Sequence, residues 1–188
     1  LLSVDADAHL QKLAACIFPS PALLPVELVR AALKRGASVV DLRVRKKLLT
    51  IEDNGNGISE KQWLALACAF DSDREPAERE KAIATLQNAA RPGIGLLAVS
   101  LPGSRRIKIE NAGSQGRMTL HIEDGQVELL DSCPLVLGTR ISISRTQFRA
   151  KAEKTLIREL CAAVPQDIKL NGHKLEKKPL LRRTLVQR

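Results

Sequence analysis

Residues 104–144 constrain the fold more than any other part of the chain. They contain four strand-like segments, at 106–110, 117–123, 126–130 and 139–144. Glycine-rich turns at 113–116 and 124–125 separate the first three segments, which is typical of consecutive hairpins. A doubly wound parallel fold would need strands and helices in alternation, and this region does not provide them. The pattern therefore predicts a largely antiparallel sheet.

Helical patterns lie on both sides of this region. Between residues 23 and 35 the apolar residues follow a helical period, which Gly36 ends. Further helices are predicted at 59–70, 77–89 and 150–163, and further strands at 38–44, 48–52 and 167–170. This order predicts one α+β domain over residues 1–188, a two-layer sandwich with helices on one face of a mixed, mostly antiparallel sheet. Because aromatic residues are only 2% of the chain, aliphatic side chains must fill its core.

The chain is strongly basic, with a formal net charge of +9. This charge favours a polyanionic partner, such as a nucleotide, nucleic acid or an acidic protein, although a basic surface without such a partner is the alternative interpretation. The scarcity of aromatic residues argues against a platform that stacks single-stranded bases. Basic residues cluster at 43–47, 105–106, 174–178 and 182–183, so contact with DNA is one expectation.

The cysteines and histidines do not form a metal-binding pattern. Cys16, Cys68, Cys133 and Cys161 are far apart without a C-x-x-C pair, which favours free thiols in a reducing compartment. No run approaches the roughly 18 apolar residues of a membrane span. We therefore expect a cytoplasmic location, or a nuclear one in a eukaryote, and no membrane partner. The chain begins at Leu1 without methionine, so we expect it to be a fragment of a longer protein.

The sequence DNGNG at 53–57 follows a predicted strand and has three interpretations. It can be a plain turn, because asparagine and glycine favour turns. It can also form a purine pocket, in which Asp53 accepts a hydrogen bond from an exocyclic amine and the glycines let the backbone approach a flat ring. A calcium loop is excluded, since aligning Gly57 with the loop glycine places Trp63 at the twelfth position, where a bidentate glutamate is required.

Three other short features are weak when taken singly. Gly93 and Gly95 open a predicted helix, where free backbone N–H groups can bind phosphate, although tight packing explains them equally well. Glu27 lies on the first predicted helix. The pair Gly138-Thr139 precedes a strand and is uninformative alone.

In this order, the four features resemble those of the GHKL ATPases, which include gyrase B subunits, 90-kDa heat-shock chaperones, sensor histidine kinases and MutL. The nearest resemblance is to the amino-terminal domain of the MutL branch of DNA mismatch repair proteins. Its signature is echoed at 13–44 (LAACIFPSPALLPVELVRAALKRGASVVDLRV), and its closing strand and turn at 168–172 (IKLNG). The resemblance covers most of the chain and is weakest between residues 60 and 90.

The resemblance implies the GHKL sandwich fold, ATP or ADP as the ligand, and a role for each matching residue. Glu27 would be the general base that activates water. Asp53 would bind the adenine amine, and Thr139 would support the same hydrogen bonds. Residues lining the base and phosphates would be Gly55, Gly57, Ile58, Gly93 and Gly95, with residues 71–92 as a lid. Such lids couple nucleotide to dimerisation, so a nucleotide-linked homodimer or heterodimer is a further expectation.

The chain departs from the family pattern at the magnesium ligand. The family motif reads E-x-x-x-N, and the position of the asparagine is Ala31 here, whose methyl group cannot ligate a hard cation. Two acidic residues, Asp71 and Asp73, also stand where the family has a threonine-serine-lysine stretch. We therefore expect nucleotide binding with doubtful magnesium and weak or absent ATP hydrolysis. The alternatives are a scaffold for dimerisation or DNA contact without nucleotide, a sensor kinase domain, and an unrelated α+β domain.

Overall fold

The structure of the chain is a computed structural model. It describes the residues Ala8, Lys12, 20–89, 104–114, 116–146 and 150–178. The predicted phosphate-site glycines Gly93 and Gly95, and Cys16, lie outside the described residues.

The described strands form one eight-stranded sheet in the order β5-β4-β3-β6-β2-β1-β7-β8. The strands are β1 (Val39–Val44), β2 (Leu48–Asp53), β3 (Ser104–Gly113), β4 (Gly116–Glu123), β5 (Gln126–Leu130), β6 (Gly138–Arg145), β7 (Asp167–Leu170) and β8 (His173–Lys174). The pair β1–β7 is parallel, and the other neighbouring strands are antiparallel. The predicted mixed, mostly antiparallel sheet is therefore confirmed.

Four α-helices belong to the described residues: α1 (Leu24–Lys34), α2 (Glu60–Phe70), α3 (Pro76–Ala89) and α4 (Ala150–Cys161). The short 3₁₀ turn Pro21–Leu23 leads into α1. Ser59 caps α2, because its side chain accepts a hydrogen bond from the N–H of Gln62. Gly36 follows α1 with φ of +83°, a conformation that favours glycine where a helix ends.

A single hydrophobic cluster joins these helices to one face of the sheet. That face carries two apolar rows of cross-strand neighbours. One row is Leu42, Ile51, Ile141, Ile109 and Leu120, and the other is Val44, Leu49, Ile143, Ile107 and Ile122. The large side chains that are less than 2% exposed are all leucines and isoleucines, as the scarcity of aromatic residues predicts, and Trp63 and Phe70 are the buried aromatic residues among those described.

The observed elements differ from the predicted ones mainly at their ends. Strand β3 continues to Gly113 because it pairs with both β4 and β6 along its length. Strand β8 was not predicted; it consists of two residues that extend the turn at Asn171 and Gly172. Helix α4 ends at Cys161, two residues before the predicted end.

The described cysteines are free, as predicted. Burial raises the pKa of the Cys161 thiol to about 11, so this group is an inert part of the core. Among the described residues, no helix is long and apolar enough to cross a membrane.

Candidate functional site

A row of three buried polar residues adjoins the two apolar rows of the inner face. Asp53 on β2 pairs in register with Thr139 on β6, and Thr139 pairs with Asn111 on β3. The exposed fraction is 5% for Asp53 and 0% for the other two residues. Burying polar groups costs free energy unless they have partners, so this polar row must have its hydrogen bonds supplied by the surrounding structure or by a ligand.

The carboxylate of Asp53 has two partners. Its Oδ1 accepts a hydrogen bond from the N–H of Gly55 at 3.0 Å. Its Oδ2 accepts one from Nη2 of Arg35 at 2.7 Å, and the side chains of Arg35 and Asp53 are only 12% and 2% exposed. Arg35 and Asp53 therefore form an ion pair with little exposure to solvent.

Asn111 holds the end of the DNGNG turn in place. Its Oδ1 accepts a hydrogen bond from the N–H of Ile58 at 2.7 Å, and its Nδ2 donates to the carbonyl of the same residue at 3.2 Å. Gly57 lies directly against Asn111, because a Cβ added at Gly57 would come within 2.8 Å of that Oδ1. The turn is therefore clamped between β2 and β3 above the polar row.

Two asparagines fix the other side of the turn. Oδ1 of Asn54 accepts hydrogen bonds from the N–H groups of Ser38 and Val39, both at 2.9 Å. The N–H of Asn56 donates to the carbonyl of Arg35 at 2.9 Å. The turn is thus joined to the end of α1 and the start of β1, so it is a rigid part of the sheet end.

Thr139 is a buried polar residue whose hydroxyl lacks a partner. Its Oγ1 makes no hydrogen bond to any residue that the structure describes. An unsatisfied buried hydroxyl costs roughly 1–3 kcal/mol, so such groups commonly mark a site where water or a ligand belongs. The hydroxyl lies on the strand next to Asp53, so these two buried polar groups are neighbours on the inner face.

The opposite face of the sheet supports this row through charged neighbours. Arg140, next to Thr139 in sequence, donates to Glu52 at 2.8 Å across the β2–β6 pair. The hydrogen bond with Glu52 raises the pKa of Arg140, despite the opposing effect of partial burial. This bond holds β2 and β6 together directly behind Asp53 and Thr139.

Helix α1 carries Glu27, the remaining predicted site residue that the structure describes. Glu27, Ala31 and Arg35 are spaced four residues apart, so they lie roughly on one stripe along the side of the helix. Eight residues at 1.5 Å each separate Glu27 from Arg35 by about 12 Å along the helix axis. Glu27 accepts a hydrogen bond from Arg30 at 2.8 Å, and its side chain is 19% exposed. The carboxylate of Glu27 is therefore partly exposed to solvent, and it lies toward the opposite end of α1 from Arg35 and Asp53.

At position 31, helix α1 offers no oxygen ligand for a metal ion. Ala31 is 2% exposed and presents a methyl group on the stripe between Glu27 and Arg35. Among the residues that the structure describes, no group of three or more histidine, cysteine, aspartate or glutamate side chains could hold a metal ion.

The structure brings Asp53, Gly55, Gly57, Ile58 and Thr139 together and places Glu27 on the adjoining helix. Sequence reasoning missed Asn111 and Arg35. Asn111 had a signal, because it continues the alternation of Ile107 and Ile109 and so takes a core position as a polar residue. Arg35 had none, since a basic residue at the end of a helix is ordinary.

Comparisons with a curated protein and with a solved structure both relate this chain to MutL. No protein-family model matches the chain. The chain is 24% identical to a protein named DNA mismatch repair protein MutL, from Trichlorobacter lovleyi, over 73% of the chain and 24% of that relative. It superimposes on the Aquifex aeolicus MutL ATPase domain complexed with ADP with a TM-score of 0.54 and 18% identity, covering 87% of the chain and 66% of that structure. The chain therefore has the fold of the GHKL ATPase domain, and the predicted similarity to MutL is confirmed. The chain spans about a quarter of the length of the curated relative.

Proposed function

We propose that this chain is an adenine-nucleotide-binding domain whose base site is the polar row together with the DNGNG turn. The observation that carries the proposal is the buried pair of Asp53 and Thr139 beneath a glycine turn. A carboxylate and an unsatisfied hydroxyl on adjacent strands can hold the amine edge of adenine. Gly55 and Gly57 let the turn pack closely against these strands, since a Cβ at either position would come within 3.0 Å of protein atoms. The name of the solved structure, a MutL ATPase domain complexed with ADP, supports this choice of ligand.

The direction of the nucleotide follows from the stripe on α1. With the base at Asp53, the phosphates would extend along α1 toward Glu27. Glu27 lies about 12 Å along the helix axis from Arg35, the residue that contacts Asp53. Glu27 is then the residue placed to orient or deprotonate water at the phosphate end. Gly93 and Gly95 remain proposed phosphate contacts, and residues 71–92 a proposed lid that couples nucleotide to dimerisation.

Hydrolysis is proposed to be weak or absent. Phosphoryl transfer depends heavily on a metal ion and positive charge to stabilise the phosphates. Ala31 supplies no metal ligand on the stripe that faces them. Phosphate release with magnesium should therefore be near the background rate, and turnover that Glu27→Ala abolishes would contradict this part of the proposal.

Calorimetric titration with ATP and ADP tests nucleotide binding. We expect binding to the wild type, loss of binding in Asp53→Ala, and at least a severalfold weaker affinity in Thr139→Val, which keeps the side-chain shape but removes the hydroxyl. Asp41→Ala is the matched control, because Asp41 lies on the neighbouring strand β1 and points to the opposite face. Adding magnesium should leave the affinities unchanged. Absence of binding to the wild type at millimolar nucleotide would overturn the proposal.

A second candidate, a scaffold that contacts DNA, is favoured by the other end of the sheet. Two cavities of about 480 and 790 Å³ lie away from Asp53, the first between α4 and the β7–β8 turn and the second at the end of β6 beside Lys47. Their basic lining residues are Lys47, Arg106, Arg145, Lys154, Arg158, His173, Lys174 and Lys178. Arg145 is buried against Glu153, and the acidic residues Glu123, Asp124 and Glu176 also line the cavities. We call this surface the basic end. It gathers residues from separate parts of the chain, as phosphate binding requires. A role in mismatch repair, the activity in the name of the relative, would fit this candidate.

Duplex DNA binding at several salt concentrations tests the second candidate. If the basic end contacts phosphates, the affinity should fall steeply with salt, and Lys154→Glu should reduce it while leaving ATP binding intact. Affinity that is insensitive to both changes would contradict this candidate.

A further inference from the structure

The carboxylate proposed to bind the adenine amine already has an internal donor. Nη2 of Arg35 lies 2.7 Å from Oδ2 of Asp53, and Oδ1 is engaged by the turn at Gly55. A neutral purine amine would donate to this carboxylate in the way that the guanidinium now does. The Asp53 side chain is only 2% exposed, and Arg35 occupies its second oxygen, Oδ2.

The internal partner has two advantages over a ligand. Its hydrogen bond joins two opposite charges, and such bonds are roughly twice as strong as those with a neutral donor. It also belongs to the same chain, so no translational freedom is lost when it forms. A ligand amine must therefore displace Arg35, and the observed affinity is reduced by the fraction of molecules in which Asp53 is free.

The side chain of Arg35 is not the group that joins helix α1 to the turn. It follows the last residue of α1, and its backbone carbonyl, rather than its side chain, binds the turn at Asn56. Its Nε is buried and makes no hydrogen bond to any residue described. Asp53 is therefore the described hydrogen-bond partner of this guanidinium, and movement of the Arg35 side chain would release Oδ2.

We propose that Arg35 is an internal competitor for the adenine position, so that the site alternates between an Arg35–Asp53 pair and a nucleotide-bound state. The inference rests on the proposed function, because it assigns the amine of the base to Asp53. It makes Arg35 the residue that sets nucleotide affinity in this chain. Arg35 is positively charged, and removing a positive charge ordinarily weakens the binding of an anionic ligand. The competition predicts the opposite result, stronger binding of ATP when Arg35 is removed.

Calorimetry with ATP on four proteins tests this inference: the wild type, Arg35→Ala, Asp53→Ala and the double variant. We expect Arg35→Ala to bind ATP at least about tenfold more tightly than the wild type, and the double variant to lose that gain. Arg43→Ala is the matched control, because it removes an equal charge from an exposed side chain on β1 and should leave affinity unchanged or slightly lower. Arg35→Met, which keeps an apolar stem of similar length, is measured in parallel and decides the question if Arg35→Ala does not fold.

The outcomes separate this inference from the proposed function. Equal affinity in the wild type and the Arg35 variants, with loss of binding in Asp53→Ala, would overturn the competition and leave the nucleotide site standing. Weaker binding in the Arg35 variants would also overturn it, since Arg35 would then be a ligand contact. No binding in any variant would overturn the proposed function, and this inference with it.

Discussion

Gly138 is the residue that allows β6 to pass close to Asp53. Its φ is +92°, and a Cβ added there would lie 1.8 Å from the backbone oxygen of Asp53. The chain therefore has no room for a side chain at the point where the polar row is assembled. At the sequence level the pair Gly138-Thr139 was uninformative alone, because neither the positive φ nor the close approach is visible without the fold.

Gly138→Ala should destabilise the domain strongly. We expect the free energy of unfolding to fall by at least about 3 kcal/mol, from backbone strain together with overpacking. Gly172→Ala is the control, because Gly172 has a φ of +84° but nothing within 4 Å of an added Cβ, so strain alone should cost about 1–2 kcal/mol. Urea unfolding followed by fluorescence of Trp63, a buried residue, measures both. Similar losses in the two variants would show that the close approach at Gly138 is unimportant.

The residues of the site were predicted to different extents. Asp53 and its glycines followed from the motif, because a strand followed by a glycine turn is a local pattern. The pairing of Asp53 with Arg35 depends on contact between residues 18 positions apart, and no local pattern encodes it. The purine-pocket interpretation singled out Asp53 as an acceptor, which stays a prediction for a nucleotide, and it did not anticipate Arg35 as the partner.

The elements were predicted well because their signals are local. Gly36, Ser59 and the hairpin glycines mark ends that the structure places within a few residues. The register that sets Asp53, Thr139 and Asn111 side by side joins three strands far apart in sequence, so it required the folded sheet. The attachment of α4 to β6 likewise depends on a pair that the sequence did not reveal.

Arg145 on β6 and Glu153 on α4 form that pair. The two side chains are 7% and 2% exposed, and two hydrogen bonds of 2.5 and 3.1 Å join them. Glu153→Ala should lower the free energy of unfolding by about 3–5 kcal/mol, because it leaves a buried guanidinium without this carboxylate. Glu159→Ala, at an exposed position of the same helix, should change it by less than about 0.5 kcal/mol. Equal effects in urea unfolding would contradict a special role for the buried pair.

At the scale of the whole molecule, the sheet has two chemically different ends. The inner face changes from apolar rows to the polar row at the end near Asp53. The basic end comprises the cavity between α4 and the β7–β8 turn and the cavity at the end of β6 beside Lys47. The net charge of +9 favours any polyanion at the basic end, so binding of ATP to the protein does not by itself locate the ligand.

The central claim is that the adenine base binds above the polar row, and mapping the ligand by NMR tests it most directly. Backbone amide shifts in an isotope-labelled sample would be followed during titration with ATP at moderate salt. The account predicts saturable changes at Gly55, Gly57 and Ile58, with little change at Lys47 and Gly172, which belong to or adjoin the basic end. Saturable changes confined to Lys47 and Gly172, with the turn at 53–58 unaffected, would contradict it.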